Sequence, residues 1–231
     1  LMAGACLNLS PKHSGPIDYG TFENYLDCKR QNIVHCRRLV PGADCDHADL
    51  LREGAAVNNG AVFSFALHDE AAGERTPADL TVSPTEGMKT GITVSCDGET
   101  RAFTLDMLGE FNFLNAAAAI ALAVNIGVPF DSDARKAIES VQVPGHMERF
   151  TGGENLLVFV DFAHNYLSTK ALVDEMVRVY GERDPHITVV AGSTGGKAID
   201  RREGIVKGAL GRAESYIFTT DDPNFEDPQA I

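Results

Sequence analysis

The spacing of hydrophobic residues predicts a strand, a loop and a helix at the start of the chain. Residues 1–10 are mostly apolar, and they run into a polar stretch at Asn8-Leu9-Ser10-Pro11. This pattern is typical of a buried strand that enters a loop. After Thr21, a good helix N-cap, helical spacing relates Phe22, Tyr25, Leu26, Lys29 and Ile33. Lys29 therefore lies on an apolar face, where a lysine either extends its ammonium to water or has a buried functional role.

The middle of the chain changes to alternation of apolar and polar residues. This pattern covers three segments, residues 79–84, 91–96 and 101–105. Because Asp97-Gly98 is a strong turn signal, we predict hairpins of an antiparallel subsheet. Residues 116–126 are alanine-rich and apolar on nearly every side, which predicts a buried helix, and a second helix is predicted over 131–140.

The segment 143–150 separates this half of the chain from the rest. Pro144 fixes its own φ and disfavours a helical Val143, whereas Gly145 accepts backbone angles that other residues avoid. We therefore predict a hinge between two domains, residues 1–145 and 146–231, with a ligand cleft between them. An ordinary loop between a helix and a strand is the simpler alternative.

Beyond the hinge, strands and helices alternate as in a doubly wound α/β sheet. The predicted strands are 156–160, 187–191 and 216–219, and the predicted helices are 167–180 and 201–210. Each strand ends in polar residues, namely 161–165, 192–197 and 221–224. Because the carboxyl ends of parallel strands line the ligand crevice of such sheets, we expect these three segments to face one site.

Composition narrows the classes of function. The net charge is −13 and the basic residues are scattered, which argues against nucleic-acid binding. The five cysteines lack CxxC spacing, which fits free thiols in a reducing compartment and hence the cytoplasm. The chain contains no run of about 18 apolar residues, so we expect no membrane span. A monomer is our expectation for the oligomeric state.

Three groups of residues are candidates for chemistry. The glycine-rich 192–197 segment misses the spacing of a phosphate-binding P-loop, but Lys197, Arg201 and Arg202 favour an anion site in so acidic a chain. Asp161 and His164 suit ribose hydroxyls or a metal, and His13 with Asp18 suits a hard cation. Each group also has a purely structural explanation, as a ligand-free turn or a hydrogen bond within a loop.

Taken in chain order, the motifs resemble those of the Mur ligases, and most closely the UDP-N-acetylmuramoyl-tripeptide synthetases. The motifs are Asn8-Leu9-Ser10 with His13, Tyr25 and Lys29; Gly109-x-Phe111-Asn112-x-x-Asn115; Val143-Pro144-Gly145-x-Met147-Glu148; Asp161-x-Ala163-His164; and Asp221-Asp222-Pro223-Asn224-x-Glu226. The resemblance implies an α/β fold in which part of a central ATPase domain, with an antiparallel subsheet, precedes an incomplete Rossmann-like C-terminal domain.

The resemblance also implies a reaction. ATP phosphorylates the D-glutamyl carboxylate of UDP-MurNAc-L-Ala-D-Glu, and the amine of a diamino acid displaces phosphate from the acyl phosphate, with Mg²⁺ neutralising the phosphoryl oxygens. Lys29 matches a lysine that is carbamylated in the family, which would make it an anionic oxygen ligand for Mg²⁺, and His13 matches a metal-binding histidine.

The same resemblance implies binding roles for further residues. The implied nucleotide-binding residues are Asn112, Asn115, Asp161 and His164, together with His146 and Arg149 where the family usually has one arginine. Lys197 and Arg201 are implied as phosphate or substrate contacts. The implied amino-acid-binding residues are Asp221, Asp222, Asn224 and Glu226.

Asn224 indicates which amino acid is added. Family members that use meso-diaminopimelate have an arginine in its place, which pairs with the second carboxylate of that substrate. Because an amide cannot form that pair and the neighbouring residues are acidic, L-lysine is favoured, with L-ornithine left open. The phosphate-binding Gly-Lys-Thr/Ser loop is absent from the sequence, so we expect a fragment that is inactive alone. Alternatives are a folylpolyglutamate-synthetase-like ligase or a non-catalytic nucleotide-binding module.

Overall fold

The structure is a computed structural model, and it describes residues 2–7, 21–57, 60–68, 76–129, 132–196 and 199–231. The chain divides into two compact units, Leu1–Val141 and Gln142–Ile231, which are treated separately below. None of the described helices is long and apolar enough to cross a membrane.

The first unit opens with a parallel three-stranded sheet. Its strands are β1 (Ala3–Cys6), β2 (Arg38–Pro41) and β3 (Ala61–Val62), in that order. The helices α1 (Phe22–Val34) and α2 (Ala48–Ala56) pack beside it through a common apolar core that includes Tyr25, Ile33 and Leu51. Thr21 caps α1 as predicted, since its side chain accepts a hydrogen bond from Asn24 N at 3.2 Å.

The predicted antiparallel subsheet forms the rest of this unit. It consists of β4 (Phe65–Leu67), β5 (Leu80–Pro84), β6 (Gly91–Cys96) and β7 (Glu99–Thr104), where β4 and β5 are parallel and the other pairs are antiparallel. Asp97 and Gly98 make the tight turn with φ values of 51° and 80°. The helix α3 (Phe111–Asn125) is buried against this sheet through Phe113, Ala117 and Ile120, and α4 (Ser132–Glu139) follows it.

In the second unit, β8 (Glu148–Thr151) and β9 (Leu157–Val160) form an antiparallel pair. The remaining elements are α5 (Tyr166–Tyr180), β10 (Thr188–Ser193), α6 (Asp200–Ala209) and β11 (Ser215–Thr220), with β10 and β11 parallel. The α/β order is as predicted, but two details differ. Residues 148–150 belong to a strand and not to a hinge, and among the described strands β9 pairs with β8 instead of β10. A turn at Gly152-Gly153, with φ of 77° at Gly153, makes this hairpin possible.

The helices α5 and α6 run side by side in the same direction. Gly204 and Gly208 of α6 face Tyr166 at the start of α5, and Arg212 Nε lies 2.8 Å from Asp174 Oδ1 further along. A Cβ at position 208 would come within 2.7 Å of Tyr166 O and 2.9 Å of Thr169 Cβ. The close contact between the two helices therefore depends on glycine at this position.

We expect Gly208→Ala to destabilise the protein. Overpacking costs about 1–3 kcal/mol and exceeds the gain of about 1 kcal/mol that alanine gives in a helix. Gly181→Ala is the matched control, because a Cβ there would meet only Val177 Cγ1, at 3.7 Å. Urea unfolding of both variants measures the difference, and equal or greater stability of Gly208→Ala would contradict the packing argument.

Candidate functional site

Lys29 is half-buried on α1, beside the carboxyl end of β1. Its Nζ lies 5.5 Å from the centroid of the Tyr25 ring, a cation–π contact that explains how a lysine is tolerated on this apolar face. Burial and the neighbouring Cys45 raise the pKa of the Cys6 thiol to about 11, while the charge of Lys29 acts in the opposite direction. The Cys6 thiol is therefore neutral at pH 7.

The described residues do not by themselves form a metal site. Within the part of the chain that the structure covers, no three His, Cys, Asp or Glu side chains come together in a way that could hold an ion. Lys29 as an ammonium is not a metal ligand, and His13 lies outside the described residues. The roles of Lys29 and His13 in binding Mg²⁺ therefore stay predictions.

The two predicted nucleotide-binding asparagines at the start of α3 are joined to each other. Asn115 Nδ2 donates to Asn112 Oδ1 at 2.9 Å, and Asn112 Nδ2 donates to Leu108 O at 2.6 Å. Asn112 is only 6% exposed, whereas Asn115 is exposed. The buried asparagine thus orients the exposed one, and Asn115 is the member of the pair that a ligand can reach.

Asp161, at the end of β9, fixes two turns of the second unit. Its Oδ2 accepts a hydrogen bond from Met147 N at 2.9 Å and its Oδ1 accepts one from Ala163 N at 2.8 Å. Glu148 Oε2 accepts another from Gly145 N at 2.8 Å. These bonds hold Met147 in the left-handed region, at φ 53°, which is unfavourable for methionine without such support.

An aromatic group lies on this turn. The ring of Phe162 is 6.0 Å from that of His146 and 5.0 Å from that of His164, measured between centroids, and Phe162 is 68% exposed. Two predicted nucleotide-binding residues are therefore brought together by an aromatic residue that the sequence analysis did not single out. The sequence feature that could have identified Phe162 is its position directly after Asp161, at the end of strand β9. Arg149 is exposed on β8, where it is paired with Phe159 of β9.

The ends of β10 and β11 carry another group of candidate residues in the second unit. We call residues 193–196 the glycine loop and residues 221–227 the acidic loop. Gly195 N donates to Asp222 O at 2.8 Å, and Asp221 N donates to Ser193 O at 3.2 Å. A Cβ on Gly195 would lie 1.9 Å from Pro223 O, so the two loops approach more closely than any other residue at position 195 would permit.

Glu226 completes the connection between the two loops. Its Oε2 accepts hydrogen bonds from Gly196 N at 2.7 Å and from Arg202 Nη2 at 2.6 Å, and its Oε1 accepts one from Arg202 Nη1 at 2.9 Å. The Arg202 guanidinium and the Gly196 N–H together lower the pKa of Glu226 to about 2. Both carboxylate oxygens thus already accept hydrogen bonds within the protein, and the role of Glu226 as a direct ligand of the amino acid stays a prediction.

Asn224 adopts a left-handed conformation within the acidic loop. Its φ is 53°, and its backbone N donates to Asp222 Oδ1 at 3.0 Å. Its Nδ2 lies 3.6 Å from the position that a Cβ on Gly196 would take, so the amide reaches the glycine loop. Asp221 and Asp222 are exposed, Arg201 is half-buried at the start of α6, and Lys197 lies outside the described residues.

A cavity of about 560 Å³ lies beside the two loops, between α6 and the strands β10 and β11. Its lining includes the apolar residues Ile205, Val206 and Phe218 and the polar residues Ser193, Arg202 and Thr220.

Comparison with known families defines the class of protein. Residues 1–123 match the family described as Mur ligase middle domain, and residues 145–231 match the one described as Mur ligase, glutamate ligase domain. The chain therefore belongs to the Mur ligase family.

Individual relatives are consistent with this. A UDP-N-acetylmuramyl-tripeptide synthetase of Bifidobacterium longum (strain NCC 2705) is 47% identical over 96% of this chain and 43% of its own length. A UDP-N-acetylmuramoyl-L-alanyl-D-glutamate–L-lysine ligase of Enterococcus faecalis (strain ATCC 700802 / V583) is 33% identical over 99% of the chain and 44% of its own length. The chain thus spans less than half the length of these curated relatives.

Solved structures share the fold. A UDP-N-acetylmuramoyl-L-alanyl-D-glutamate–2,6-diaminopimelate ligase matches with a TM-score of 0.62 and 22% identity, over 100% of this chain and 46% of that one. The folylpolyglutamate synthase of Thermotoga maritima matches with a TM-score of 0.61 and 18% identity, over 81% of this chain and 43% of that one. At these identities the likeness supports the fold class, a two-part α/β ligase architecture, and not a particular substrate.

The lowered pKa of Glu226 gives a pH prediction. Because the folded pKa lies below the ordinary value of about 4.3, the stability that the pair provides is present above about pH 5 and is lost as the pH falls towards 2. The wild type and Glu226→Gln should therefore differ in free energy of unfolding at pH 7 and converge in acid. Glu203→Gln, which breaks an exposed pair with Lys207, is the control. A difference that stays constant from pH 7 to about 2.5 would contradict this account.

Proposed function

We propose that the parent protein joins L-lysine to the D-glutamyl carboxylate of UDP-MurNAc-L-Ala-D-Glu in an ATP-dependent reaction. The observation that carries this proposal is the composition of the acidic loop, in which Asn224 stands between the exposed acidic residues Asp222 and Asp227. Membership of the Mur ligase family supports the ligase chemistry and the use of ATP. The name of the Enterococcus faecalis relative supports lysine as the acceptor.

The reaction consists of two transfers. The γ-phosphoryl group of ATP is transferred to a carboxylate oxygen of the D-glutamyl residue, which gives an acyl phosphate and ADP. The amine of lysine then attacks the acyl carbon, the C–N bond forms, phosphate leaves with the C–O bond electrons, and the nitrogen loses a proton. A carboxylate is a poor electrophile, so the first transfer makes the second possible.

The chain's own residues would bind and orient the reactants. Each unit has exposed groups that suit a nucleotide by themselves. In the first unit, the amide of Asn115 can bond to a base edge. In the second unit, the rings of His146, Phe162 and His164 can stack on a base. Asp161 would contribute to nucleotide binding indirectly. It accepts a hydrogen bond from Met147 N and so fixes the turn that carries His146. We propose the boundary between the two parts at residue 145, and a cytoplasmic monomer stays our prediction.

The choice of lysine over diaminopimelate follows from charge. The end of the lysine side chain is an ammonium, which suits the exposed carboxylates of Asp221 and Asp222, whereas diaminopimelate carries a second carboxylate at that end. The acidic loop offers that carboxylate an amide at position 224 and no guanidinium. Arg202, the cation beside this loop, is already paired with Glu226.

A folylpolyglutamate-synthase-like activity is the second candidate, and the shared fold alone does not separate the two. The family matches to both Mur ligase domains and the 47% identical relative favour the peptidoglycan-precursor reaction. A non-catalytic nucleotide-binding module is the third possibility, and the following experiment distinguishes it from the ligases.

Phosphate release by the full-length parent protein tests the proposal. With Mg-ATP and UDP-MurNAc-L-Ala-D-Glu, we expect release that depends on L-lysine and is much slower with meso-diaminopimelate; L-ornithine is the comparison for side-chain length. Preference for diaminopimelate would refute lysine as the acceptor and leave the proposed ligase reaction in place. Absence of release with every acceptor would favour the non-catalytic module.

Two substitutions at position 224 test the acceptor more directly. Asn224→Arg should lower kcat/KM for lysine about tenfold or more, because a guanidinium repels the lysine ammonium. Asn224→Gly is the matched control, since glycine accepts the φ of 53° and adds no charge, so its loss should be smaller. Unchanged lysine kinetics in Asn224→Arg would remove this residue from the specificity argument.

A further inference from the structure

Arg202 and Glu226 lie 24 positions apart in sequence and form a forked ion pair that joins the glycine loop to the acidic loop. Their side chains are 17% and 28% exposed, so the pair is partly accessible to water. Arg202 Nη2 also lies 3.4 Å from Thr194 O, which gives the guanidinium a contact on the glycine loop itself. Each member of the pair therefore contacts both a partner side chain and the glycine loop.

Glu226 holds the loops through the backbone as well. It accepts the Gly196 N–H at 2.7 Å, and Gly195 N donates to Asp222 O at 2.8 Å. Two successive amides of the glycine loop are thus bound by the acidic loop. Because Asn224 Nδ2 lies against Gly196, a shift of the glycine loop would also move the surroundings of this amide.

We infer that Arg202 and Glu226 are positioning residues for the amino-acid acceptor, which hold Asp222 and Asn224 in place without touching the acceptor themselves. This inference rests on the proposed function, because it concerns the same acceptor loop. Displacing binding groups by about 1 Å can reduce turnover about a hundredfold, so a pair that fixes a loop has a large effect on binding.

A direct role of Glu226 in binding the lysine ammonium is the competing explanation, and it makes a different prediction. The ammonium would have to compete with Arg202 for carboxylate oxygens that already accept three hydrogen bonds. Removal of Arg202 would then free the carboxylate and lower the KM for lysine. The positioning role predicts the reverse, since loss of either partner loosens the loop.

Steady-state kinetics of the full-length parent protein separate these explanations. We expect Glu226→Gln and Arg202→Met each to raise the KM for the amino acid about tenfold or more, with KM for ATP and for the UDP-linked substrate changed less than about threefold. Arg202→Lys keeps the charge and loses the fork, so it should recover part of the effect. The double variant should be no worse than either single one, because both remove the same connection. Glu203→Gln, on the exposed side of α6, should match the wild type.

Each other outcome overturns the inference in a recognisable way. A lower KM for the amino acid in Arg202→Met would assign Glu226 to direct binding. If kcat and every KM worsen equally and thermal stability also falls, the pair has only a structural role. A wild type that uses a different amino acid refutes only the proposed acceptor, and the variants are then compared with that amino acid. A wild type inactive with every acceptor refutes the proposed function, and with it the positioning role.

Discussion

The ion pair between Arg202 and Glu226 is the constraint that joins the glycine loop to the acidic loop. β10 and β11 are parallel neighbours, so their carboxyl ends lie close together without further help, but two such loops would remain independent. The guanidinium fork, the Gly196 amide and the close approach at Gly195 convert them into one unit. Charge-assisted, forked hydrogen bonds are both stronger and more directional than neutral ones, which suits them to fixing a loop.

A similar arrangement is found around the other candidate residues, where a less accessible polar side chain orients an exposed one. Asn112 holds Asn115 at the start of α3, and Asp161 holds the turn that carries His146. In each case the supporting residue belongs to the family motif, although its own hydrogen-bonding capacity is largely used within the protein. Motif residues therefore divide into those that a ligand can reach and those that position them.

Sequence reasoning succeeded where local pattern decides the structure. The helical spacing from Phe22 to Ile33, the Asp97-Gly98 turn and the alanine-rich helix each depend on residues close together in the chain, and each is present. The strand β8 was not predicted because Pro144 and Gly145 indicate a turn just before it, and its pairing with β9 joins residues that lie 6 to 12 positions apart in the sequence. Arg202 and Glu226 are separated by the remainder of α6 and by β11, and no local rule relates them. The role of Glu226 towards the acceptor stays a prediction, because its pairing with Arg202 is a contact that no local sequence pattern indicates.

Amide hydrogen exchange at Gly195 and Gly196 is the most direct test of the central claim that the two loops form one unit. The account predicts that both amides are protected in the wild type and that both exchange much faster in Glu226→Gln, although only Gly196 bonds to that side chain. Free exchange of Gly196 in the wild type, or loss of protection at Gly196 with Gly195 unaffected, would contradict it.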